Sequence, residues 1–386
     1  MKFDLEEHQQ MIKETARDFA EKELRPIASK IDEEASFPTE NVKKLGELGF
    51  MGMMVPEEFG GAGLDSVSYA IAVEEISRGC ASTGVIMSVN NSLVCQAILE
   101  WGTPEQKKRF LPDLAKGKKL GAFSLTEPEA GSDAGNLQTT AVASGDKYVV
   151  NGTKIFVTSG GRADVVLLFA STDKSLKAKG LTAFLVEKGT PGFKVGKKEN
   201  KMGIRASSTT ELIFNNCRIP KENLIAREGL GFIVAMKTLD CSRAGVGAQG
   251  VGLAQGAIDE CIKFAKGRIQ FGQPITSFQA IQHMLADMQT QTEAARALVY
   301  SAARMMDSGA KDFSRASAMA KLFATDTAMK VTIDAVQVMG GSGYMKEYPV
   351  EKMMRDAKIL QIYEGTNQIQ RNVIALDMIR EATRQK

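Results

Sequence analysis

The chain has very little histidine and no paired cysteines, and both shortages narrow its chemistry. Its two histidines, His8 and His283, stand far apart in sequence. A zinc site or a Ser-His-Asp triad is thus poorly supplied, and no metal is expected. The five cysteines (Cys80, Cys95, Cys217, Cys241 and Cys261) contain no C-x-x-C pair. An odd, unpaired set fits reduced thiols in a cytosol. Long apolar runs are missing, which argues against a transmembrane helix, and the first residues are acidic and polar rather than signal-like. A cytoplasmic location is therefore expected, with no membrane partner. An excess of one charge is also missing: 49 Lys and Arg against 46 Asp and Glu leave +3, too little to argue for nucleic acid. The densest basic run, Lys194, Lys197, Lys198 and Lys201, is interrupted by Glu199 and reads as a solvated face. Catalysis, if any, must rest on carboxylates, amides and a bound cofactor.

What is present is an ordinary globular composition, 25% charged and 44% apolar over 386 residues, enough for two or three domains. The hydrophobic period changes twice. Residues 1–118 read as an N-terminal helical domain, in which Met11, Ile12, Ala16, Phe19 and Ala20 fall on one stripe. The turn at 56–63 breaks this region, and Met51, Met53 and Met54 beside it read either as core or as the lining of a pliable cavity. Residues 119–228 carry short β-type runs, and Asn151-Gly152 between two of them predicts a two-residue hairpin. No helical stretch separates these runs, so an antiparallel barrel or sandwich is expected rather than a parallel sheet. Residues 229–386 return to long helical patterns over 232–266, 278–308 and 314–339, which predict a C-terminal four-helix bundle. The fold class is α+β, multidomain, in the order helices, β domain, helical bundle.

Several short motifs carry possible chemistry, each with a plainer reading beside it. Residues 245–250 match G-x-G-x-x-G, but a helical pattern precedes them and no βαβ unit surrounds them, so close helix packing explains them better than a dinucleotide. Leu125, Thr126 and the loop reaching Gly131 and Ser132 form a strand running into a turn. Its amides and hydroxyls suit phosphate or carbonyl oxygens, or simply end a strand. Arg268 closes a long helix before Phe271-Gly272; it suits pyrophosphate, or the helix dipole. Gln337 with Gly340 and Gly341 is a helix end where bare backbone caps the helix or lies flush against a flat ligand. Asp240-Cys241-Ser242-Arg243 reads as a helix opening with Asp240 as its entry residue.

The most informative stretch is 361–368, Gln-Ile-Tyr-Glu-Gly-Thr-Asn-Gln. Glu364 directly precedes a glycine, and Thr366 or Asn367 suits the N-cap of a helix patterned over 369–379. Such a junction lets a ligand approach the backbone and aims helix amides at a carbonyl or anion. Taken alone, the stretch leaves Glu364 either a solvated helix-start residue or a base.

Together the four motifs Thr-Glu-Pro-x-Ala-Gly-Ser-Asp, Arg-x-x-Phe-Gly, Gln-x-x-Gly-Gly and Tyr-Glu-Gly-Thr, in this order and spacing, resemble the acyl-CoA dehydrogenase family from residue 5 to about 379. Residues 87–93 and 203–209 are similar to its short-chain, butyryl-CoA branch. The resemblance implies non-covalent FAD and oxidation of an acyl-CoA to the trans-2-enoyl-CoA. Electrons would pass to electron-transferring flavoprotein. Glu364 matches the family's base, which takes the α proton while the β hydrogen leaves as hydride to flavin N5. The oxyanion donors it implies are the Glu364 backbone N–H and a flavin ribityl hydroxyl.

Further roles follow from the same resemblance. Phe123 and the segment through Ser132 would hold the flavin and its phosphates, with Ser132 also touching CoA. Phe156, Val157 and Thr158 would flank the isoalloxazine ring. Arg268, Phe271, Gln279, Gln337, Gly340 and Gly341 would contact FAD, Arg268 and the Gln337 segment on a neighbouring subunit, which implies a homotetramer. Thr366 and Gln368 would hold FAD from the active-site loop. Asp240, Arg243, Tyr363 and Gly365 would meet the CoA ester. Phe156 and Ser159 depart from the tryptophan and asparagine of many relatives. Ser242 stands where the isovaleryl and long-chain branches carry their base. The alternatives are a medium, branched or cyclic acyl-CoA substrate, an oxygen-using oxidase, or a non-catalytic acyl-CoA-binding protein.

Overall fold

Among the described residues, seven α-helices precede the β domain: α1 (Glu7–Phe19), α2 (Ala28–Glu33), α3 (Thr39–Glu47), α4 (Ser66–Gly79), α5 (Ala81–Ser88), α6 (Gln96–Trp101) and α7 (Pro104–Ala115). The computed structural model describes residues 5–310 and 313–384. The β domain follows with β1 (Gly121–Ser124), β2 (Thr140–Ser144), β3 (Lys147–Thr158) and β4 (Val165–Ser171). It continues with β5 (Leu181–Glu187), β6 (Phe193–Lys198), β7 (Thr209–Pro220) and β8 (Leu224–Ile225). The last part holds α8 (Gly231–Gly267), the hairpin β9 (Ile269–Gln270) and β10 (Gln273–Pro274), then α9 (Gln279–Asp307) and α10 (Phe313–Met339). It ends with α11 (Val350–Leu360) and α12 (Asn367–Arg384). The expected order of helices, β domain and helices is the observed one.

The helices form where the apolar period demands them, with one shift of phase in α1. Ala16 and Phe19 are buried, but Met11 is 62% exposed and Gln9 takes an inward position instead. Gln9 satisfies itself there: its Oε1 accepts from the Glu6 N–H, and its Nε2 donates to Asp65. Helix α4 is buried on nearly every side, because α1, α8 and α9 surround it. Its two carboxylates are buried with cations, Glu74 against Arg296 at 2.9 Å and Glu75 against Arg17 at 2.6 Å. The glycines of 245–250 lie within α8 and let it approach both neighbours. A Cβ on Gly245 would sit 2.5 Å from the Tyr69 hydroxyl of α4, and one on Gly250 2.9 Å from the Ala324 carbonyl of α10. Close packing, not a dinucleotide turn, is their role. Met51 and Met53 are fully buried core.

The sheet differs from the expectation in two ways. It is mixed rather than antiparallel: β1 pairs parallel with β4 (Gly121 with Val165 onward), although the β2–β3, β3–β7 and β4–β5 pairs are antiparallel. The connection between β1 and β4 contains the β2–β3 hairpin, long enough to return the chain to the same end of the sheet. The hairpin turn is also not at Asn151-Gly152. β3 runs straight through those residues with a register shift, and the two-residue turn is Gly145-Asp146, between Ser144 and Lys147. Gly145 supplies the φ of 60° that such a turn needs.

Asp240-Cys241-Ser242-Arg243 does not open a helix. It lies in mid-α8, where Arg243 and Asp240 pair at i,i+3. The α8 pattern is continuous from residue 231, so the Asp240 carboxylate serves a side chain one turn on rather than a helix N-terminus.

Candidate active site

A cavity of about 430 Å³ opens where the β domain, the first half of α8 and the loop before α12 meet. One wall comes from the π-helical turn at residues 89–95, which directs Val89 and Leu93 into the cavity. Two buried amides hold that irregular turn. Asn90 donates to the carbonyls of Met51 and Leu114 and accepts from the Gly121 N–H at 2.9 Å. Asn91 donates to Phe50 and Met87 and accepts from the Met53 N–H. Each amide is satisfied, as burial requires. Phe232, Met236 and Leu239 of α8 complete the apolar side.

Glu364 faces this cavity from the loop between α11 and α12. Its backbone is left-handed (φ 54°) and Gly365 follows at φ 90°. A non-glycine residue with positive φ is strained, and such strain persists only where the surroundings enforce it. Here the Thr366 hydroxyl caps α12 by accepting from the Ile369 N–H at 3.2 Å. The Gln370 amide donates to the Gly365 carbonyl at 2.8 Å and to that of Glu364 at 3.3 Å. The Ser242 hydroxyl of α8 donates to Glu364 Oε2. Burial raises the Glu364 carboxyl above its ordinary value. The Ser242 hydrogen bond and the cations of Lys321 and Arg243 pull the other way without cancelling it. The result is a carboxylate poised to accept a proton inside an apolar chamber.

The opposite rim has the shape and chemistry that a flat, polar-edged cofactor would need. Phe123 and Leu125 supply apolar surface and Thr126 a hydroxyl, and the loop then exposes Gly131 and Ser132. Nothing lies within 4 Å of where a Gly131 Cβ would be, so the loop backbone is open to a ligand. From the other side, a register shift in β3 between Lys154 and Val157 puts Phe156 in a left-handed turn (φ 57°). Phe156 is 60% exposed toward the cavity, and Thr158 lines it. The Val157 side chain points away, into the β core. Arg243 also lines the cavity, and its Nε is buried without a protein partner. An aromatic and aliphatic bed, hydroxyls at its edge and a loop of open amides fit FAD.

Most of the other residues singled out in the sequence stand outside the cavity. Asp240 pairs with Arg243 at 2.5 Å and does not line the cavity. Tyr363 lines it and donates its hydroxyl to Gln249. Arg268, Gln279, Gln337, Gly340, Gly341 and Gln368 are exposed and outside it. Phe271, at the tip of the β9–β10 hairpin, is 95% exposed. Phe264 packs edge-on to Tyr348, and the Cys261 thiol donates to the Ala335 carbonyl, so the α8 end and the turn after α10 share one end of the bundle.

Two buried lysines beside the site, Lys154 and Lys321, are not singled out by the sequence pattern. Lys154 donates to Glu127 Oε1 at 2.7 Å and to the Leu125 carbonyl at 3.0 Å, joining β3 to the cofactor loop. Lys321 donates to the Gly365 carbonyl at 2.8 Å. The available signal is a lysine on a helix face of small residues, as at Lys321 with Ser317, Ala318, Ala324 and Thr325.

Family models of the acyl-CoA dehydrogenases match in succession: the N-terminal domain over residues 6–118, the middle domain over 122–217 and the C-terminal domain over 229–379. The chain is 52% identical over 375 residues to the short-chain specific acyl-CoA dehydrogenase of Clostridium acetobutylicum, covering 97% of this chain and 99% of that protein. Butyryl-CoA dehydrogenase from Megasphaera elsdenii superposes with a TM-score of 0.96 at 47% identity, covering 98% of this chain and all of that one. A chain solved under the description "Electron transferring flavoprotein of Acidaminococcus fermentans: Towards a mechanism of flavin-based electron bifurcation" superposes with a TM-score of 0.97 at 53% identity, over 98% and 100% of the two chains. Matched through all three domains, the chain belongs to the acyl-CoA dehydrogenase family of FAD-dependent oxidoreductases.

Proposed function

We propose that the protein oxidises a short-chain acyl-CoA, butyryl-CoA or one close to it, to the trans-2-enoyl-CoA and passes the electrons to electron-transferring flavoprotein. The observation that carries this reading is Glu364, a carboxylate raised by burial and held on a left-handed turn over the cavity. FAD, when bound, supplies the hydride acceptor for the β hydrogen. Glu364 takes the α proton. Its backbone N–H, which meets no acceptor among the described residues, is free to donate to the thioester oxygen and stabilise the developing enolate. The apolar side chains of Val89, Leu93 and Leu239 exclude water, which strengthens both effects. Tyr363 lines the cavity, and the hydrogen bond from its hydroxyl to Gln249 of α8 fixes the ring as a wall there, which fits a short acyl chain.

An anaerobic panel of butyryl-, octanoyl-, isobutyryl- and cyclohexanecarboxyl-CoA, read by bleaching of the flavin absorbance, tests the substrate. Each methylene is worth only about 1–3 kcal/mol. A butyryl rate far below any other would overturn the short-chain reading.

The base also fixes the pH dependence. Glu364 acts when deprotonated, and burial raises its carboxyl above 4.5. The rate of flavin reduction should therefore fall as pH drops, with an acid limb above the ordinary carboxylate range. A rate flat down to 4.5 would contradict a buried base.

The exposed Phe271, with Arg268 beside the hairpin and Gln337, Gly340 and Gly341 at the same end of the bundle, fits contact with the flavin of a second copy in a homotetramer. A soluble electron-transferring partner and reduced cysteines fit the cytoplasm; all five thiols are free.

A further inference from the structure

Lys321 is a fully buried cation in the middle of α10, on a face otherwise made of Ser317, Ala318, Ala324 and Thr325. Burying an ammonium is costly unless strong acceptors repay it. Two are present, both on the loop that carries Glu364: the Gly365 carbonyl and Asn367 Oδ1, each at 2.8 Å. The next turn of α10 continues the attachment. Asn367 donates to Thr325 Oγ1 at 2.9 Å and to Asp326 Oδ1 at 2.7 Å, and Asp326 Oδ1 also accepts from Gln361 at 2.7 Å. The loop is thus pinned at both ends, Gln361 and Asn367, and between them Glu364 is forced into its left-handed turn.

We propose that Lys321 is the positioning residue of the base, its ammonium clamping Gly365 and Asn367 so that Glu364 points into the cavity, and its charge keeping that carboxylate ionised. This rests on the assignment of Glu364 as the base. The charges involved are few. Arg243 of α8, itself paired with Asp240, and Lys321 of α10 both favour the Glu364 carboxylate; Ser242 donates to it. Around Lys321, Glu364 and Asp326 attract and Arg243 repels. Burial lowers the Lys321 ammonium to about 7, so it is cationic below that pH.

The test compares Lys321→Met, which removes donors and charge, with Lys321→Arg, which keeps both, as FAD-loaded enzymes reduced anaerobically by butyryl-CoA. For Lys321→Met, kcat should fall roughly 10–100-fold, the loss expected when a reacting group is misplaced by about an ångström. KM and flavin content should change little, the acid limb should move to higher pH, and Lys321→Arg should recover part of the rate. A side chain that merely fills space would lower Tm and leave the acid limb in place; that result overturns the proposal, as does a kcat within about twofold of wild type. If Lys321→Met does not yield holoenzyme, Lys321→Gln carries the same test, and failure of both to assemble makes Lys321 a folding residue and also overturns it. Glu364→Gln run alongside separates the two ideas: if it stays active the base assignment fails, and if it is inactive while Lys321→Met is normal only the positioning role fails.

Discussion

Replacing Glu364 by glutamine should reduce the rate of flavin reduction by butyryl-CoA roughly 10⁴-fold, the upper end of what a positioned base contributes. The substitution keeps the volume and the oxygen that accepts from Ser242 while removing the proton acceptor. Binding of the CoA ester should persist, because the rest of the cavity lining, Arg243, Tyr363 and Gly365 among it, is untouched. Stability should not fall with activity. The Glu364 carboxyl is raised by burial, so at neutral pH, above its unfolded-state value, it costs the folded protein stability, and the neutral amide removes that cost. Set against this is the loss of an attractive partner for Lys321 and Arg243. A Tm equal to or slightly above wild type is the expected balance, the pattern of a site that gives up stability for chemistry. Stopped-flow reduction and a thermal melt on the same holoenzyme check both halves. Reduction at near wild-type rate would end the case for Glu364 as the base.

The sequence made different parts of this site visible for different physical reasons. The long helices were readable because their apolar period is local: the patterns over 232–266 and 278–308 became α8 and α9 with ends shifted by a residue. The loop motifs were readable because a carboxylate before glycine, or Thr-Glu-Pro before Ala-Gly-Ser, specifies unusual backbone within a few residues. Pairings between distant segments were not. Nothing near Gly121 states that it will lie parallel to Val165, so the local sequence predicts an antiparallel sheet. Asn151-Gly152 has hairpin chemistry, yet Gly145-Asp146 has it too, and only the partner strands decide which one turns. Least visible were buried polar side chains that serve another segment. Asn90, Asn91, Lys154 and Lys321 each look like surface residues until the acceptor arrives from elsewhere in the chain: Met51 for Asn90, Leu125 for Lys154, Gly365 for Lys321.

Lys154→Met should show how much of the proposed FAD bed depends on such a residue. Lys154 is fully buried in β3, and its ammonium holds both the Leu125 carbonyl and the Glu127 carboxylate. Glu127 in turn accepts from the backbone N–H groups of Gln138 (2.5 Å) and Thr139 (3.1 Å), closing the loop that exposes Gly131 and Ser132. Methionine fills the space but leaves Glu127 ionised and unpaired inside the protein, a change that costs about 3–5 kcal/mol. A Tm lower by several degrees and faster loss of FAD on dialysis are expected. The sign of the pH effect identifies the cause. In the wild type, burial pushes Glu127 up, but Lys154 and the hydrogen bonds outweigh it and hold the carboxyl below its ordinary value. Its stabilising contribution is therefore complete above the unfolded pKa and fades as pH falls. In the variant the same carboxyl is raised, so it destabilises at neutral pH and is relieved by protonation. The Tm gap between the two proteins should thus narrow as pH is lowered toward about 5. Adding Glu127→Gln, which keeps an acceptor oxygen without the charge, should recover at least roughly half of the lost stability if the orphaned charge is the cause. A gap that is constant with pH, or a double variant no better than the single, would mean that Lys154 contributes by packing its stem rather than by pairing its charge.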